Sequence, residues 1–396
     1  MLTFEEARIR VLHGAPALAT ERVALTDARK RVLAEELRAR TPLPPYDYSA
    51  MDGFAVSVRS FDGDGPWQLP VIGESRTGRL ATPLTSGAAC RIFTGAPIPE
   101  GADAVVMQED VERRGDRAVF KARPGLGAHI RRAGEDLAVG RLALERGTEL
   151  DAGALGLVAA LDHGDVLVAR RPRVVILSTG DELRKPGTEA VAGTIPESNS
   201  VAIAALAARA NAITRFAQIA RDDPGETREQ LALALEGADL LVTIGGVSVG
   251  DHDVVRPALE AAGVVLDFYK VAMKPGKPLT FGRRGDTVVI GLPGNPVSAQ
   301  VTFALFGLPL LRRMQGHRRP VATARAVRLG APLAQQIGRR GFYAATVSGD
   351  VATPLPGQAS GSVAALAWAD ALVIVPADCA GYRTGDAAEA LMLAEL

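Results

Sequence analysis

The chain has 396 residues, 47% of them hydrophobic and 23% charged, with 45 basic residues set against 45 acidic ones. Such a length predicts about two to four domains, and the zero net charge offers no whole-protein field to draw nucleic acid or an anionic membrane. Two cysteines, Cys90 and Cys379, make neither a metal spacing nor a disulfide framework.

The opening MLTFEEARIR carries acids where a signal peptide has positive charge, and no apolar core follows. The longest apolar tract, Val297 to Leu311, is interrupted by Gln300, Gly307 and Pro309. It is too short to span a bilayer. A cytoplasmic protein without a membrane segment is expected.

Thr3-Phe4-Glu5-Glu6 is a capping-box pattern and predicts a short helix to about Leu12. A second helix is expected from Asp27 to Arg38, with Val32, Leu33 and Leu37 on its apolar side. The Thr41 to Pro45 run (TPLPP) stiffens the backbone and marks a domain boundary.

From Tyr46 to about Arg146 short alternating runs cut by Gly and Pro read as a β-rich domain. Gly153 to Leu161 returns to a helical period, so it is expected to pack with the first segment around that insertion. From Arg173 strand-like runs (Val174 to Leu177, Ile213 to Ile219, Leu240 to Ile244, Val264 to Tyr269, Thr287 to Ile290) alternate with helical ones. Those helical stretches are Ser200 to Ala210, Gly225 to Leu235, Val254 to Ala262 and Val297 to Met314. Alternation of this kind predicts a multidomain α/β chain built on a mostly parallel sheet with helices on both faces. A small C-terminal β domain is expected to follow. The expected boundaries are 1–44 with 147–172 as a discontinuous linking domain, 45–146 as the β-rich insertion, 173–318 as the α/β domain and 319–396 as a barrel-like end.

In an open α/β sheet ligands bind beyond the carboxyl ends of the strands. The loop after Leu240 to Ile244 holds Gly245-Gly246, then Ser248 and Gly250, and then Asp251, His252 and Asp253. A glycine turn beside a helix N-terminus presents N–H donors to an anion. The acids would repel a phosphate unless a hard cation such as Mg²⁺ stood between them. It is neither a Walker loop nor GxGxxG. The other strand-end loops bring Ser178-Thr179-Gly180-Asp181-Glu182, Arg221-Asp222-Asp223-Pro224, Lys270 to Pro278 and Gly291 to Ser298. Topology puts Glu182, Asp222, Asp251 and Asp253 on one rim with Lys270, Lys274 and Lys277. Acids plus lysines suit Mg²⁺-assisted chemistry at a phosphate. Taken singly, each has a plainer reading. Pro275-Gly276-Lys277-Pro278 is also a rigid turn, Asp222-Asp223-Pro224 an N-cap, Asp181-Glu182 the first-turn acids of a helix, and Gly245-Gly246 a packing device. The histidines show no ligand spacing, and no Ser/His/Asp or Cys/His nucleophilic set is visible.

These residues, in this order, resemble the molybdopterin molybdenumtransferase family (the MoeA type, also the C-terminal part of gephyrin). The match rests on Pro45-Tyr46-Asp47-Tyr48-Ser49-Ala50-Met51-Asp52-Gly53, Arg91-Ile92-Phe93-Thr94-Gly95-Ala96, Val105 to Glu109 and Arg131 to Asp136. Ser178 to Leu183, Gly245 to Gly250, Lys270 to Pro278 and Gly291 to Ser298 complete it. The resemblance implies Mg²⁺-dependent insertion of molybdate into adenylylated molybdopterin, with release of AMP. It assigns Asp52, Thr94, Glu182, Asp222 and Asp253 to the active site, with Asp222 and Asp253 as metal ligands. Ser178, Gly180, Gly245, Gly246, Ser248, Lys270, Lys274, Lys277, Pro293, Asn295, Pro296 and Ser298 become ligand-binding residues. It further implies an elongated homodimer whose active site is shared between protomers, and transient contact with the molybdopterin adenylyltransferase. A non-catalytic scaffold and the adenylylating branch are the competing readings. Two departures stand out: Ile244 where the family has Ser or Thr before the glycine pair, and Pro196 in Ile195-Pro196-Glu197-Ser198-Asn199.

Overall fold

Strands covered on both faces need apolar residues at every position rather than at alternate ones. Leu240–Ile244 meets that requirement, with all five residues buried. In the computed structural model, which describes residues 1–246, 254–359 and 361–396, this strand lies inside a six-stranded sheet. The order is Ile213–Phe216, Arg173–Ser178, Leu240–Ile244, Thr287–Leu292, Pro278–Arg284, Val265–Lys270. The first four are parallel to one another. Pro278–Arg284 runs antiparallel to both its neighbours. That strand is not among those the sequence predicts, because Pro278 closes the Lys270 to Pro278 loop and the next five residues (LTFGR) are too short a run to announce themselves.

Side chains alternate between two cores. Val174, Ile176, Val242 and Ile244 face one that also takes Phe4, Ala7 and Val11 of the Phe4–His13 helix and Ile203 of the Asn199–Arg209 helix. Val175, Leu177 and Leu241 face another, filled by Leu231 and Leu235 of the Pro224–Leu235 helix and Leu259 of the Val255–Ala261 helix. Each such buried side chain contributes about 1.5–3 kcal/mol. The Phe4–His13 helix opens with the expected capping box: Thr3 N–H donates to Glu6 Oε2 at 2.8 Å and Glu6 N–H to Thr3 Oγ1 at 3.2 Å.

The helix expected over Asp27 to Arg38 does not form. A 3₁₀ turn covers Leu25–Asp27, and single bridges then pair Val32 with Glu149 and Leu33 with Val168. Val32, Leu33 and Leu37 are buried as expected, but by strand-like pairing with residues more than a hundred positions away. Pairing across the chain overrode local periodicity. The Val297 to Met314 stretch is helical throughout, with a five-residue π-turn at Phe303–Gly307 between Pro296–Thr302 and Leu308–Met314. Pro309 has no N–H to return to the preceding turn, and the wider turn before it accommodates that loss.

The C-terminal strands Arg340–Ser348, Val351–Pro354, Arg325–Leu329, Ala387–Met392 and Ala371–Val375 pair in that order, and the last pairs back with the first, closing a small barrel. The parallel sheet, the helices on its two faces and the barrel belong to one unit, formed by Met1–Glu35, Arg146–Leu150 and Leu167–Leu396. A second unit comprises Glu36–Glu145 and Asp151–Val166. It holds a sheet ordered Ala104–Met107, Gly53–Val56, Ala89–Ile92, Trp67–Ser75, Arg117–Phe120, Val111–Arg114. Its core packs Phe61 edge-on against Phe120, ring centroids 5.2 Å apart. Among the described residues no helix is long and apolar enough to cross a membrane.

Candidate active site

The rim at the carboxyl ends of the parallel strands is where backbone freedom is used. Gly245 and Gly246 follow Ile244 with φ of 91° and 60°. A Cβ on Gly245 would stand 2.6 Å from the Thr179 carbonyl oxygen, and one on Gly246 would stand 2.3 Å from Val255 Cγ2. Both conformation and space therefore demand glycine. Thr179 N–H donates to the Ile244 carbonyl at 2.9 Å, which ties this turn to the loop after Arg173–Ser178.

The paired acids Asp222 and Asp223 divide their work. Asp223 caps the Pro224–Leu235 helix, accepting from Gly225 N–H at 2.9 Å and Glu226 N–H at 2.8 Å. Asp222 lines a cavity of about 600 Å³ with Gly180, Glu182, Gly245 and Gly246. The Asp222 N–H donates to Asp181 Oδ1 at 3.2 Å, so the two loops are joined. No helix follows Asp181-Glu182; a two-residue strand, Leu183–Arg184, does. The reading of these acids as first-turn helix residues fails.

A second cavity of about 510 Å³ is lined by Lys274, Lys277 and Ser298 together with Arg339 and Tyr343 from the barrel. Pro278, Pro293 and Asn295 line both cavities, and Pro296 lines the first. The 293–296 loop is pinned from below, where Asn199 Nδ2 donates to the Gly294 carbonyl at 2.8 Å. Glu197 is buried and accepts from Ser200 N–H at 2.9 Å, while Pro196 lies in a short exposed pair beside Arg184.

Carboxylates thus gather on one side of a shared wall and lysines on the other. Lys270 ends its strand at the same rim but lines neither cavity; its Nζ lies 5.3 Å from the Tyr269 ring centroid. Ser178 is buried, and its hydroxyl has no partner among the described residues. Ser248, Asp251, His252 and Asp253 lie outside the described residues. Among those described, no three His, Cys, Asp or Glu side chains cluster as a metal site. Sequence reasoning missed Arg339 and Tyr343. Only the pairing of Met273–Lys274 with Arg340–Gly341 brings them to Lys274, whose Nζ sits 5.6 Å from the Tyr343 ring.

In the second unit Asp52 and Thr94 meet directly. Thr94 donates to Asp52 Oδ1 from its backbone N–H at 2.7 Å and from its hydroxyl at 2.8 Å. The backbone bond, then the hydroxyl, then the charge of Arg91 hold the Asp52 carboxyl below the usual carboxylate range. Arg91 donates to the Gly53 carbonyl at 2.8 Å and to Gln108 Oε1 at 2.6 Å.

Comparison with known proteins gives a consistent answer. The chain is 38% identical over 374 residues to molybdopterin molybdenumtransferase 2 of Mycobacterium tuberculosis, covering 92% of each chain. With the Haemophilus influenzae molybdopterin molybdenumtransferase it shares 38% over 362 residues, 89% of this chain and 88% of that one. The chain belongs to the molybdopterin molybdenumtransferase family. Models of the MoeA N-terminal region (domain I and II), a probable molybdopterin binding domain and the MoeA C-terminal region (domain IV) match residues 2–161, 175–313 and 326–393. The crystal structure of the molybdopterin biosynthesis moeA protein from Pyrococcus horikoshii OT3 superposes with a TM-score of 0.87 at 29% identity, over 99% of this chain and 100% of that one. Members of this family are transferases of molybdenum cofactor biosynthesis, and the fold expected from the sequence is the family's. The Ile244 departure has a structural account: its side chain is 2% exposed and packs in the core with Val242 and Ile176.

Proposed function

We propose that this chain inserts molybdenum from molybdate into adenylylated molybdopterin and releases AMP. One observation carries the reading. A carboxylate-lined cavity and a lysine-lined cavity share the wall formed by Pro278, Pro293 and Asn295. Lys274 and Lys277 would neutralise phosphate or molybdate oxygens in the second cavity, with Ser298 as a hydroxyl partner. Gly180, Gly245 and Gly246 would let the ligand approach the backbone in the first. The sulfur ligands of molybdenum would come from the substrate, in keeping with two cysteines that sit in none of these loops.

Mg²⁺ fits the donor set. It takes one or two carboxylates and completes its shell with water and substrate phosphate, and Asp222 and Glu182 supply hard oxygens on one cavity. Asp222 and Asp253 would hold it, and its chemistry would be to polarise the phosphate being cleaved. Asp52 and Thr94 would complete the site from the partner protomer of a homodimer, in the cytoplasm, with the molybdopterin adenylyltransferase as a transient donor of substrate. The four-part domain division set out from the sequence belongs to the same reading.

The test incubates purified protein with adenylylated molybdopterin, Mg²⁺ and molybdate, and follows AMP and pterin-bound molybdenum. Release of AMP with retention of molybdenum supports the reading; a protein that binds the pterin and does neither is a carrier. Sedimentation showing only monomer under assay conditions would remove the shared site.

A further inference from the structure

Away from the rim, a cavity of about 660 Å³ is lined by Lys30, Arg209, Arg312, His317 and Arg319, with Glu149 and Glu395 as its acids. Four side chains bring formal positive charge against two that bring negative, and the α-carboxylate of Leu396 on the same lining adds a third negative group. The two side-chain carboxylates are already engaged. Glu149 pairs with Lys30 at 2.5 Å, and Glu395 pairs with Arg325 outside the cavity. Arg209 donates to the neutral carbonyl oxygen of Leu393 and, at 3.4 Å, to an oxygen of the Leu396 α-carboxylate, which offsets part of its charge. Among the described residues neither Arg312 nor Arg319 has a carboxylate within ion-pair distance. Burial works against the charge of Arg312, Glu149 offsets part of that cost, and the neighbouring Arg209 adds to it. His317 accepts from Arg319 N–H at Nδ1, 3.0 Å away, which leaves its other nitrogen as the N–H donor.

We propose that this basic cavity is a second anion site, and that it takes a compact, multiply charged oxyanion such as pyrophosphate. Guanidinium groups bind phosphate oxygens through paired donors, and three of them converge here from separate segments. No Phe, Tyr or Trp side chain lines the cavity, so the larger apolar platforms on which a nucleoside base would stack are missing from its lining. That favours a compact polyanion over a nucleotide. A bound anion would offset the repulsion between Arg209 and Arg312 and bind together the segment holding Lys30, the helix ending at Met314 and the stretch that follows it.

The experiment titrates pyrophosphate, and separately AMP, into the full chain by calorimetry at low salt, with melting temperature as a second readout. Arg312→Gln/Arg319→Gln is compared with Lys274→Gln/Lys277→Gln, which disables the lysine-lined rim cavity. The rim variant is expected to keep a pyrophosphate-binding event and its stabilisation. The Arg312→Gln/Arg319→Gln variant is expected to weaken that event by about tenfold or more. Should that double variant not fold, Arg319→Gln alone, on an exposed side chain, is expected to weaken it by about threefold. Loss of all pyrophosphate binding in the rim variant, or unchanged binding in the arginine variants, overturns the proposal. AMP binding more tightly than pyrophosphate to the rim variant overturns the compact class. None of these outcomes bears on molybdenum insertion, which is read at a different cavity.

Discussion

Thr94 gives both of its donors to a single oxygen of Asp52, at 2.7 and 2.8 Å. The depressed pKa of Asp52 follows first from these two bonds. Thr94→Ala removes the hydroxyl and is expected to raise that pKa toward the usual value of about 3.9. If Asp52 acts as an anion, the acid limb of the activity profile moves to higher pH in the variant. A carboxyl-carbon NMR titration of Asp52 reads the same change without the assay. The group's contribution to stability is present above its unfolded pKa and lost as pH falls through the lower folded value. Superimposable profiles for the two proteins would detach Thr94 from the charge state of Asp52.

Arg91 joins the two segments that carry this pair. It bonds the residue after Asp52, and its guanidinium lies 5.3 Å from the Phe54 ring and 4.8 Å from the Phe93 ring. Arg91→Gln is expected to lower kcat by about tenfold through misplacement of Asp52. Arg91→Lys, which keeps the charge but not the two-pronged bond, should recover only part of the loss. Equal activity in all three proteins would make Arg91 a packing residue.

Asp222 and Asp223 allow a direct separation of stability from chemistry. Asp223→Ala removes a helix cap and is expected to cost about 1 kcal/mol in denaturant unfolding. Asp222→Ala should leave stability nearly unchanged and abolish AMP release. The reverse pattern would exchange the two assignments.

Gly245→Ala and Gly246→Ala force a side chain into left-handed backbone and into Thr179 or Val255. Each is expected to destabilise the chain by about 1–3 kcal/mol. Melting temperatures equal to the parent's would show that the turn can open without strain.

Arg170 holds Asp239 through two bonds of 2.6 Å each, and Arg173 N–H adds a third at 2.7 Å. Burial pushes the Asp239 carboxyl up, but these bonds and charges outweigh it and leave it below the usual range. Its stabilisation is therefore present above the unfolded pKa of about 3.9 and is lost as pH falls through the lower folded value. Asp239→Ala is expected to cost about 2–3 kcal/mol at pH 7. The deficit relative to wild type should shrink in acid unfolding curves below pH 4, and a constant deficit would contradict the pairing.

Legibility followed locality. Thr3 with Glu6, and the unbroken apolar run of Leu240 to Ile244, declare their structure within a few residues, and both formed. Val32, Leu33 and Leu37 advertised burial correctly but a helix wrongly, because their partners stand near Glu149 and Val168 and no local pattern encodes them. The rim acids and lysines were visible because parallel strands send all their carboxyl ends one way. Arg339 and Tyr343 were not, since they reach Lys274 through a strand pairing between segments far apart in the chain, and no local pattern around Arg339-Arg340-Gly341 encodes that partner. Even Ile244 has an ordinary account: strand alternation packs its side chain into the core with Val242, while the residue still borders the carboxylate-lined cavity.

The split between Asp222 and Asp223 fixes a ruler as well as a charge. The helix starting at Pro224 measures off which acid is used up in its first turn, and only the residue before that one is left for the cavity. Inserting a residue between Asp223 and Pro224 would slide a different side chain into the capping position while the strand end stayed where it is. The loop's length is thus constrained as tightly as its composition. Relatives that kept both acids but changed their distance from the helix would have kept the letters and lost the meaning.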